Sequence, residues 1–164
     1  MTFHRRIETT DQNQKITLDP AVFDDLQFIN SIRNDDSTRK NLRNTDIITL
    51  KDTQKWFEET KPNWFIIKIN DQSVGYIRTS HNTKETICIG CDIHPNFRQN
   101  GYAYLAYKTL LAHLYEESYI VIWLEVFKTN ERALSLYKRL NFIEVNVKIK
   151  NNREAITMVH LKMS

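Results

Sequence analysis

The chain has 164 residues, of which 41% are hydrophobic and 26% charged, and its formal net charge is only +3. This is the balance of a globular domain, and no apolar run reaches the roughly 18 residues that a membrane span needs. Because acids and bases are interspersed, a nucleic-acid partner is not expected either, since such proteins gather a stronger basic excess on one face. We expect one cytoplasmic domain over residues 1–164, because the basic start lacks the apolar stretch of a signal peptide.

The first part of the chain is predicted to hold a tail, a short strand and a helix. Residues 1–14 are polar and are expected to form a loose tail, and Lys15–Leu18 then has the pattern of a strand. Asp19-Pro20 is typical of a helix start, because Asp is a good N-cap and Pro is tolerated in the first turn. The apolar residues that follow recur at helical spacing, at Val22, Phe23, Leu26, Ile29 and Ile32.

A second helix is predicted behind a polar segment. Arg33–Asn44 has the composition of a loop or a frayed helix. Thr49 and Asp52 resemble a capping box, in which the first side chain accepts a hydrogen bond from the backbone three residues further on. We therefore predict a helix over Leu50–Glu59.

Three antiparallel strands are predicted next. Trp64–Ile69, Ser73–Ser80 and Thr86–Ile93 are rich in apolar and β-branched residues. Polar turns at Asn70–Gln72 and His81–Lys84 separate them, which is typical of an antiparallel meander.

The remaining chain alternates between helix and strand. Tyr102–Glu117 has an apolar helical face, and Tyr119–Phe127 is almost uniformly apolar, as in a strand buried on both faces. Asn130–Leu140 is predicted to be a helix, and Phe142–Ile149 and Ala155–Leu161 are predicted to be the last two strands. The sequence therefore predicts a mixed α/β sheet with helices packed on its faces.

The two cysteines, Cys88 and Cys91, have the C-x-x-C spacing of some metal and redox sites. Both fall in a predicted strand, where positions three apart face opposite ways, and no second pair exists to complete a metal site. We interpret them as core thiols in a reducing compartment and expect no metal.

The most informative segment is Gly90–Ala106, where a strand ends and a helix begins within a few residues. His94-Pro95 ends the strand, because Pro cannot donate to the ladder. Gly101 lets the backbone approach a ligand closely, and the small Ala103 keeps that path open. Unpaired N–H groups at the helix start, the helix dipole and the charge of Arg98 favour an anion such as a pyrophosphate.

Two blocks of sequence resemble the GNAT acetyltransferase family. Arg98-x-x-Gly101-x-Ala103 is similar to the family's R/Q-x-x-G-x-G/A signature, which holds the pyrophosphate of coenzyme A. Asn130–Phe142 resembles its N-x-x-A-x-x-x-Y-x-x-x-G-F block, with Asn141 in place of the usual Gly. Asn141 follows a predicted helix and is expected to adopt left-handed dihedral angles, which Asn tolerates better than most residues.

The resemblance implies a GNAT fold that uses acetyl-CoA and no metal. The implied sheet is mixed and mostly antiparallel, is flanked by about four helices, and contains two parallel strands, Thr86–Ile93 and Tyr119–Phe127, that splay apart to admit the pantetheine arm. The backbone N–H near Ile93 would polarise the thioester carbonyl, and a bound amine would attack it directly. The implied donor-binding residues are Ile93, Arg98, Gln99, Asn100, Gly101, Tyr102, Ala103, Asn130 and Tyr137; for Asn130, helix capping alone is the alternative.

Three side chains are candidates for proton transfer. Tyr137 matches the family tyrosine that protonates the departing thiolate, with a core tyrosine as the alternative. Glu125 is the one charge inside an apolar strand, where burial would raise its pKa and improve it as a base; the alternative is a structural carboxylate. His94 lies where the strand ends and is a second candidate base, or a solvent-facing loop histidine. Asp92 and Glu85 are lesser candidates.

The acceptor amine is less well defined. A polar stretch from Arg33 to Phe57 is similar to one in GNAT members that acetylate amino sugars on nucleotide carriers, and its basic residues would suit a diphosphate: Arg33, Arg39, Lys40 and Arg43. A polyamine or another small amine ranks second, and would use acids such as Asp35, Asp36, Glu58 and Glu59. A protein N-terminus ranks third.

Other classes of function stay open beside the enzyme. A non-catalytic module that binds acyl-coenzyme A is the main alternative, and the presence of Tyr137 favours the enzyme. A small RNA-binding domain is a weaker alternative, because the expected aromatics in a basic, glycine-containing motif are missing. Edge strands near the C-terminus could pair two subunits as a homodimer.

Overall fold

The computed structural model describes residues 5–162 and, within them, one eight-stranded sheet in the order β1-β2-β3-β4-β5-β6-β8-β7. The strands are β1 (Ile7–Asp11), β2 (Gln14–Pro20), β3 (Asn63–Ile69), β4 (Gln72–His81), β5 (Thr86–Ile93), β6 (Val121–Phe127), β7 (Ile143–Lys150) and β8 (Arg153–Leu161). The helices are α1 (Leu26–Asn34), α2 (Asp36–Arg39), α3 (Leu50–Thr60), α4 (Tyr102–Glu116) and α5 (Glu131–Arg139).

Every neighbouring strand pair in the sheet is antiparallel except β5 and β6. The crossover between these two strands contains α4, as a parallel connection requires. The mixed, mostly antiparallel sheet with one parallel pair is therefore confirmed, with five α-helices where about four were predicted.

Both faces of the sheet are covered, and each face has its own apolar core. On one face Ile67 and Ile77 pack with Tyr107 and Leu110 of α4 in the larger core. On the other face, residues of α1 pack against β3 and β4 in a smaller core: Leu26, Ile29, Ile32, Ile66 and Tyr76. Strand alternation explains the division, because successive residues such as Ile66 and Ile67 point to opposite faces.

The predicted N-terminal elements need two corrections. The segment predicted as a loose tail contains β1, which pairs with β2, although residues 1–4 lie outside the described range. Asp19-Pro20 does not start a helix but ends β2, where Pro20 pairs with Phe65 of β3. Asp19 forms ion pairs with Arg6 and with Lys68 at 2.8 Å, so contacts across neighbouring strands override the local helix signal.

Several local predictions are confirmed at residue level. The Thr49 hydroxyl accepts a hydrogen bond from the Asp52 N–H at 3.1 Å and caps α3. Asn141 has a φ of 67°, and the Phe142 N–H reaches back to the Tyr137 carbonyl at 2.9 Å, which closes the end of α5. The strand β5 has the predicted bounds.

The outer strand β7 is an edge of the sheet with features that hinder pairing with another strand. It carries Lys148 and Lys150, and its register against β8 is interrupted by a bulge between Glu144 and Asn146. Charges and bulges of this kind protect exposed edges from strand addition. The same strand exposes the apolar side chains of Ile143, Val145, Val147 and Ile149, so a homodimer through the C-terminal strands stays a prediction.

Candidate active site

The sheet opens between β5 and β6. The two strands pair only at their beginnings, from Thr86 opposite Val121 to Cys88 opposite Trp123. Beyond that point β5 continues to Ile93 along β4, and β6 continues to Phe127 along β8. The last five residues of β5, Ile89–Ile93, therefore border a gap in the sheet.

The direction of the backbone groups of β5 follows from a single contact. The His94 N–H donates to the carbonyl of Val74, a residue of β4, at 2.8 Å. Successive residues of a strand alternate the direction of their backbone groups, so the N–H groups of Ile93 and Cys91 point away from β4, toward the gap. These N–H groups form a row of hydrogen-bond donors along the gap, as expected for the splayed pair of strands.

A cavity of about 790 Å³ occupies the gap and continues to both ends of it. It is lined by the end of β5, the start of α4, α5 and the segment around α2. This volume lies in the range of small-molecule and cofactor sites, about 300–1,000 Å³. The cavity thus joins the predicted donor side at α4 to the predicted acceptor side near α2 and the loop after it.

The turn before α4 is shaped to receive an anion. Gln99 and Gly101 have φ angles of 66° and 75°, and α4 begins directly afterwards with no side chain capping its N–H groups. A Cβ built on Gly101 would meet no atom within 4 Å, so the space in front of the turn is open. Asn100 holds the turn in shape, since its side-chain amide donates to the carbonyls of Phe97 and Arg98, each at 3.1 Å.

The side chain of Arg98, which is predicted to add charge for the pyrophosphate, also makes contacts within the protein. Its Nε donates to the Ile93 carbonyl at 3.0 Å, and its Nη atoms donate to the hydroxyls of Ser37 at 2.5 Å and Thr38 at 2.8 Å. Burial, followed by the nearby charge of Arg132, lowers its pKa. Arg98 thus ties the end of β5 to α2, across the two sides of the cavity.

Two further cations on the donor side were missed. Arg132 and Arg139 of α5 line the cavity, and the guanidinium of Arg139 lies 5.0 Å from the centre of the Tyr104 ring. Both stand within the second sequence block, but nothing in a helical pattern distinguishes a cation that faces a cavity from one in solvent. They add positive charge near the open turn.

Tyr137 lies on α5 and borders the cavity with only 8% of its surface exposed. Its hydroxyl is 3.3 Å from the hydroxyl of Tyr107, and the two rings meet edge to face. Burial raises the pKa of Tyr137 to about 12, and the Tyr107 contact opposes that shift. The hydroxyl therefore stays protonated at neutral pH and can donate into the cavity. Nothing in the pattern of α4 identified Tyr107 as its partner.

Asn130 is the N-cap of α5, as predicted. Its side-chain oxygen accepts a hydrogen bond from the Ala133 N–H at 3.3 Å. The residue also lines the cavity. Helix capping is thus confirmed, and a contact with coenzyme A stays a prediction.

The prediction that burial raises the pKa of Glu125 is wrong. Burial acts in that direction, but hydrogen bonds from Lys150 at 2.6 Å and Arg43 at 3.0 Å outweigh it, and the pKa is lowered. Glu125 lines the cavity as an ionised carboxylate held by two cations. This arrangement weakens it as a base.

His94 lies at the predicted end of β5, but its side chain does not border the cavity. Its Nδ1 accepts a hydrogen bond from the Asn96 N–H at 3.2 Å, and its ring stacks on Phe28 with centres 5.8 Å apart. The carboxylate that does line this strand end is Asp92, which lies 2.9 Å from Nη2 of Arg78.

The loop after α2 forms one wall of the cavity, and two of the four basic residues assigned to a diphosphate bind its backbone. Arg33 donates to the carbonyls of Asn44 and Asp46, and Arg39 donates to the carbonyl of Thr45 and to Asp36. From the start of β8, Arg153 donates to the carbonyls of Lys40 and Leu42. Arg33, Arg39 and Arg153 thus shape the loop. Of the four residues assigned to the diphosphate, Arg43 pairs with Glu125 and only Lys40 lines the cavity itself.

The acids considered for a polyamine lie elsewhere. Asp35 caps α2 through Ser37, Asp36 pairs with Arg39, and Glu59 lies near Lys55. Glu58 borders a separate pocket behind α3. None of them lines the cavity.

The cysteines lie as the strand pattern predicts. Cys91 packs against the larger core and Cys88 lies on the opposite face, and burial raises the pKa of both thiols. Within residues 5–162 no cluster of His, Cys, Asp and Glu has the arrangement of a metal site. In the same range, no helix is long and apolar enough to cross a membrane.

A splayed parallel pair, an open turn at a helix start and a cavity that joins them define an acyltransferase-like architecture. The model of the acetyltransferase (GNAT) family matches residues 26–142. The chain belongs to the GNAT acetyltransferase family. A search of curated proteins finds no match.

Solved structures show the same fold at low sequence identity. A GNAT-family acetyltransferase from Bacillus anthracis has a TM-score of 0.82 and 15% identity, over 96% of this chain and 98% of that one. Spermidine N-acetyltransferase from Vibrio cholerae, solved with CoA and spermine, has a TM-score of 0.81 and 16% identity, over 89% and 95%. Ribosomal-protein-alanine N-acetyltransferase from Brucella melitensis has a TM-score of 0.74 and 16% identity, over 88% of this chain and 99% of that one. At these identities the likeness concerns the fold.

Proposed function

We propose that this chain is an N-acetyltransferase that moves the acetyl group of acetyl-CoA to the primary amine of a small molecule. The observation that carries the proposal is the gap in the sheet: β5 and β6 pair over three residues and then part, with unpaired backbone donors of β5 along one side. Such a gap binds an extended arm as a strand binds its neighbour. Coenzyme A supplies the acetyl thioester and is required as a co-substrate, without a metal.

The donor fits the residues present. The N–H groups that follow Gly101 at the start of α4, together with Arg98 and Arg132, would hold the pyrophosphate. The N–H of Ile93 would donate to the thioester carbonyl and stabilise the negative charge that develops on its oxygen. The hydroxyl of Tyr137 would give a proton to the departing thiolate.

The proton of the amine needs a separate route. Glu125 is held ionised by two cations, and His94 does not border the cavity, so neither is placed to act as a strong base. We propose that the amine loses its proton to water in the cavity before it attacks. In that case kcat/KM rises with pH until the amine itself is deprotonated.

Direct attack by the amine needs no enzyme nucleophile. The two thiols support this, since burial raises the pKa of Cys88 and of Cys91 and so keeps them as weakly reactive thiols. The binding side of the acceptor would be the wall formed by α2 and the loop after it. A cytoplasmic location and a single domain over the whole chain remain predictions from the sequence.

Thiol release from acetyl-CoA, measured with a panel of small amines, tests the proposal. We expect release that depends on both the amine and the enzyme, and an acetylated amine in stoichiometric amount by mass spectrometry. Acetyl-CoA that binds tightly without release on any amine would instead support the non-catalytic acyl-coenzyme A module.

The contacts of the loop after α2 change the order of the candidate acceptors. Of the four basic residues that favoured a nucleotide-linked amino sugar, Arg33 and Arg39 bind loop carbonyls and Arg43 pairs with Glu125, which removes part of its support. The acids that favoured a polyamine lie away from the cavity. A small amine remains the proposal, and a protein N-terminus remains the last of the alternatives.

A further inference from the structure

The acceptor side of the cavity carries an ion pair that the proposed reaction does not use. Arg78 of β4 lies across β5, with its Nη2 2.9 Å from Asp92 Oδ2. Gly90 makes this possible, because a Cβ at that position would lie 3.0 Å from Nη2 and 3.3 Å from Nε of Arg78. The strand therefore has a glycine where the guanidinium rests on it.

The guanidinium is not fully used by the protein. About a third of the Arg78 side chain, 35%, is exposed, and the residue lines the cavity. Among the described residues, neither its buried Nε nor the buried Oδ2 of Asp92 has a hydrogen-bond partner, so the two groups meet as charges and not through a hydrogen bond. The buried Nε is out of reach of a ligand, so an anion would bind to the part of the guanidinium that is exposed to the cavity.

The charged groups around Arg78 also favour an anion. The carboxylates of Asp92 and Glu125 are each paired, the first with Arg78 and the second with Arg43 and Lys150. Lys40 lines the same side of the cavity. Two carboxylates thus meet four cations on this side, which leaves an excess positive charge; the other carboxylate of the lining, Glu131, lies in the first turn of α5.

We infer that the acceptor is an amine that also carries an anionic group, a carboxylate or a phosphate, and that Arg78 binds this group. The inference rests on the proposed function and narrows its substrate class. Asp92 is adjacent to Ile93, so an anion on Arg78 places the rest of the acceptor beside the end of β5, where the thioester carbonyl would lie. A polyamine would meet an excess of like charge there.

Matched pairs of amines test the inference by thiol release from acetyl-CoA. Glucosamine is compared with glucosamine 6-phosphate, and 4-aminobutanamide with 4-aminobutyrate, because the members of each pair differ mainly in the anion. Spermidine is the cationic comparison. We expect kcat/KM to be about tenfold higher for the anionic member of at least one pair, the scale of one charge-assisted hydrogen bond. The pair that responds distinguishes phosphate from carboxylate.

The variant Arg78→Gln should bring that ratio down to about one, chiefly by raising KM for the anionic member. Arg6→Gln is the matched control, since it also removes an arginine from an ion pair, with Asp19, far along the sheet. It should leave the ratio unchanged. Because Arg78→Gln leaves Asp92 without its partner, the double variant R78Q/D92N replaces both charges by amides, and it should fold and also lose the preference.

The outcomes separate the two proposals. If amines are acetylated but spermidine or the uncharged members react best, or if the anion preference survives in R78Q/D92N, the inference about the acceptor is overturned and the enzyme activity stands. If none of these amines causes thiol release although acetyl-CoA binds, both proposals are overturned.

Discussion

Replacing Tyr137 with Phe separates a catalytic hydroxyl from a structural one, because the chain offers a matched control. The change removes one oxygen from a buried ring and keeps the packing against Tyr107 and Phe142. It also ends the contact between the two hydroxyls, which are 3.3 Å apart. Tyr107→Phe ends the same contact from its other side and leaves the Tyr137 hydroxyl in place.

The two expected effects differ in size. A neutral hydrogen bond contributes about 0.5–1.5 kcal/mol to stability, and a contact as long as this one belongs at the lower end. General acid catalysis contributes about 10²–10⁴ in rate, which corresponds to about 3–5 kcal/mol of transition-state stabilisation. A purely structural tyrosine would therefore lower the melting temperature of both variants slightly and change turnover by much less than 100-fold.

The raised pKa of Tyr137 does not argue against its role. The site that raises this pKa to about 12 also raises the pKa of the neighbouring thiol of Cys91, through the same burial. A thiolate that leaves coenzyme A in this cavity is subject to the same penalty on charge. Because burial raises the pKa of both groups, the driving force for proton transfer from the phenol to the thiolate stays close to that given by their ordinary pKa values.

The assay combines single-turnover thiol release, acetyl-CoA affinity by calorimetry and thermal unfolding. We expect Tyr137→Phe to lose about 100-fold or more in turnover with nearly unchanged affinity, and Tyr107→Phe to lose little of either. Equal losses of turnover in the two variants would show that the contact between the hydroxyls matters and not the acid, and the reasoning would be refuted. Loss of acetyl-CoA affinity in Tyr137→Phe alone would make the hydroxyl a binding group.

Other variants address single steps of the argument. Gly101→Ala puts a Cβ on a residue with left-handed dihedral angles but in open space, so stability should fall by about 1–2 kcal/mol while acetyl-CoA affinity falls at least tenfold, as calorimetry would measure. Arg98→Gln should weaken acetyl-CoA binding, less so at high salt, whereas S37A/T38V keeps the charge and should mainly raise KM for the amine. Because its pKa is lowered, Glu125 stabilises the fold above its ordinary pKa of 4.5 and less so as the pH falls below it. Glu125→Gln should therefore leave the pH dependence of kcat/KM unchanged between about pH 6 and 9. If the rise of kcat/KM with pH disappeared in this variant, Glu125 would be identified as the base.

The parts of the fold that the sequence predicts well are those fixed by local patterns. The apolar runs and helical stripes of β5, α4 and α5 give nearly the observed bounds, and the caps at Thr49 and Asn130 form as expected. The edge strand β1 was missed because its sequence, Ile7–Asp11, is mostly polar and exposed. Its stability comes from pairing with β2, a partner that no window of local sequence contains.

The roles of charged side chains could not be predicted in the same way. Glu125 was expected to be a better base because burial was the only effect visible from its strand. Its partners come from elsewhere, Arg43 from a loop 82 residues earlier and Lys150 from the end of β7. A pKa shift depends on the balance of burial and nearby charges, and the second part of that balance is known only from the fold.

Arg98 shows what such long-range contacts add to a motif. The motif identifies the residue, but its hydroxyl partners, Ser37 and Thr38, lie about 60 residues earlier in the chain. Through them the turn that would hold the pyrophosphate is joined to the wall that would hold the amine, and the Ile93 carbonyl ties both to the end of β5. We therefore expect acetyl-CoA, by ordering the turn, to order α2 as well, so that calorimetry finds tighter binding of the amine after the donor than before it.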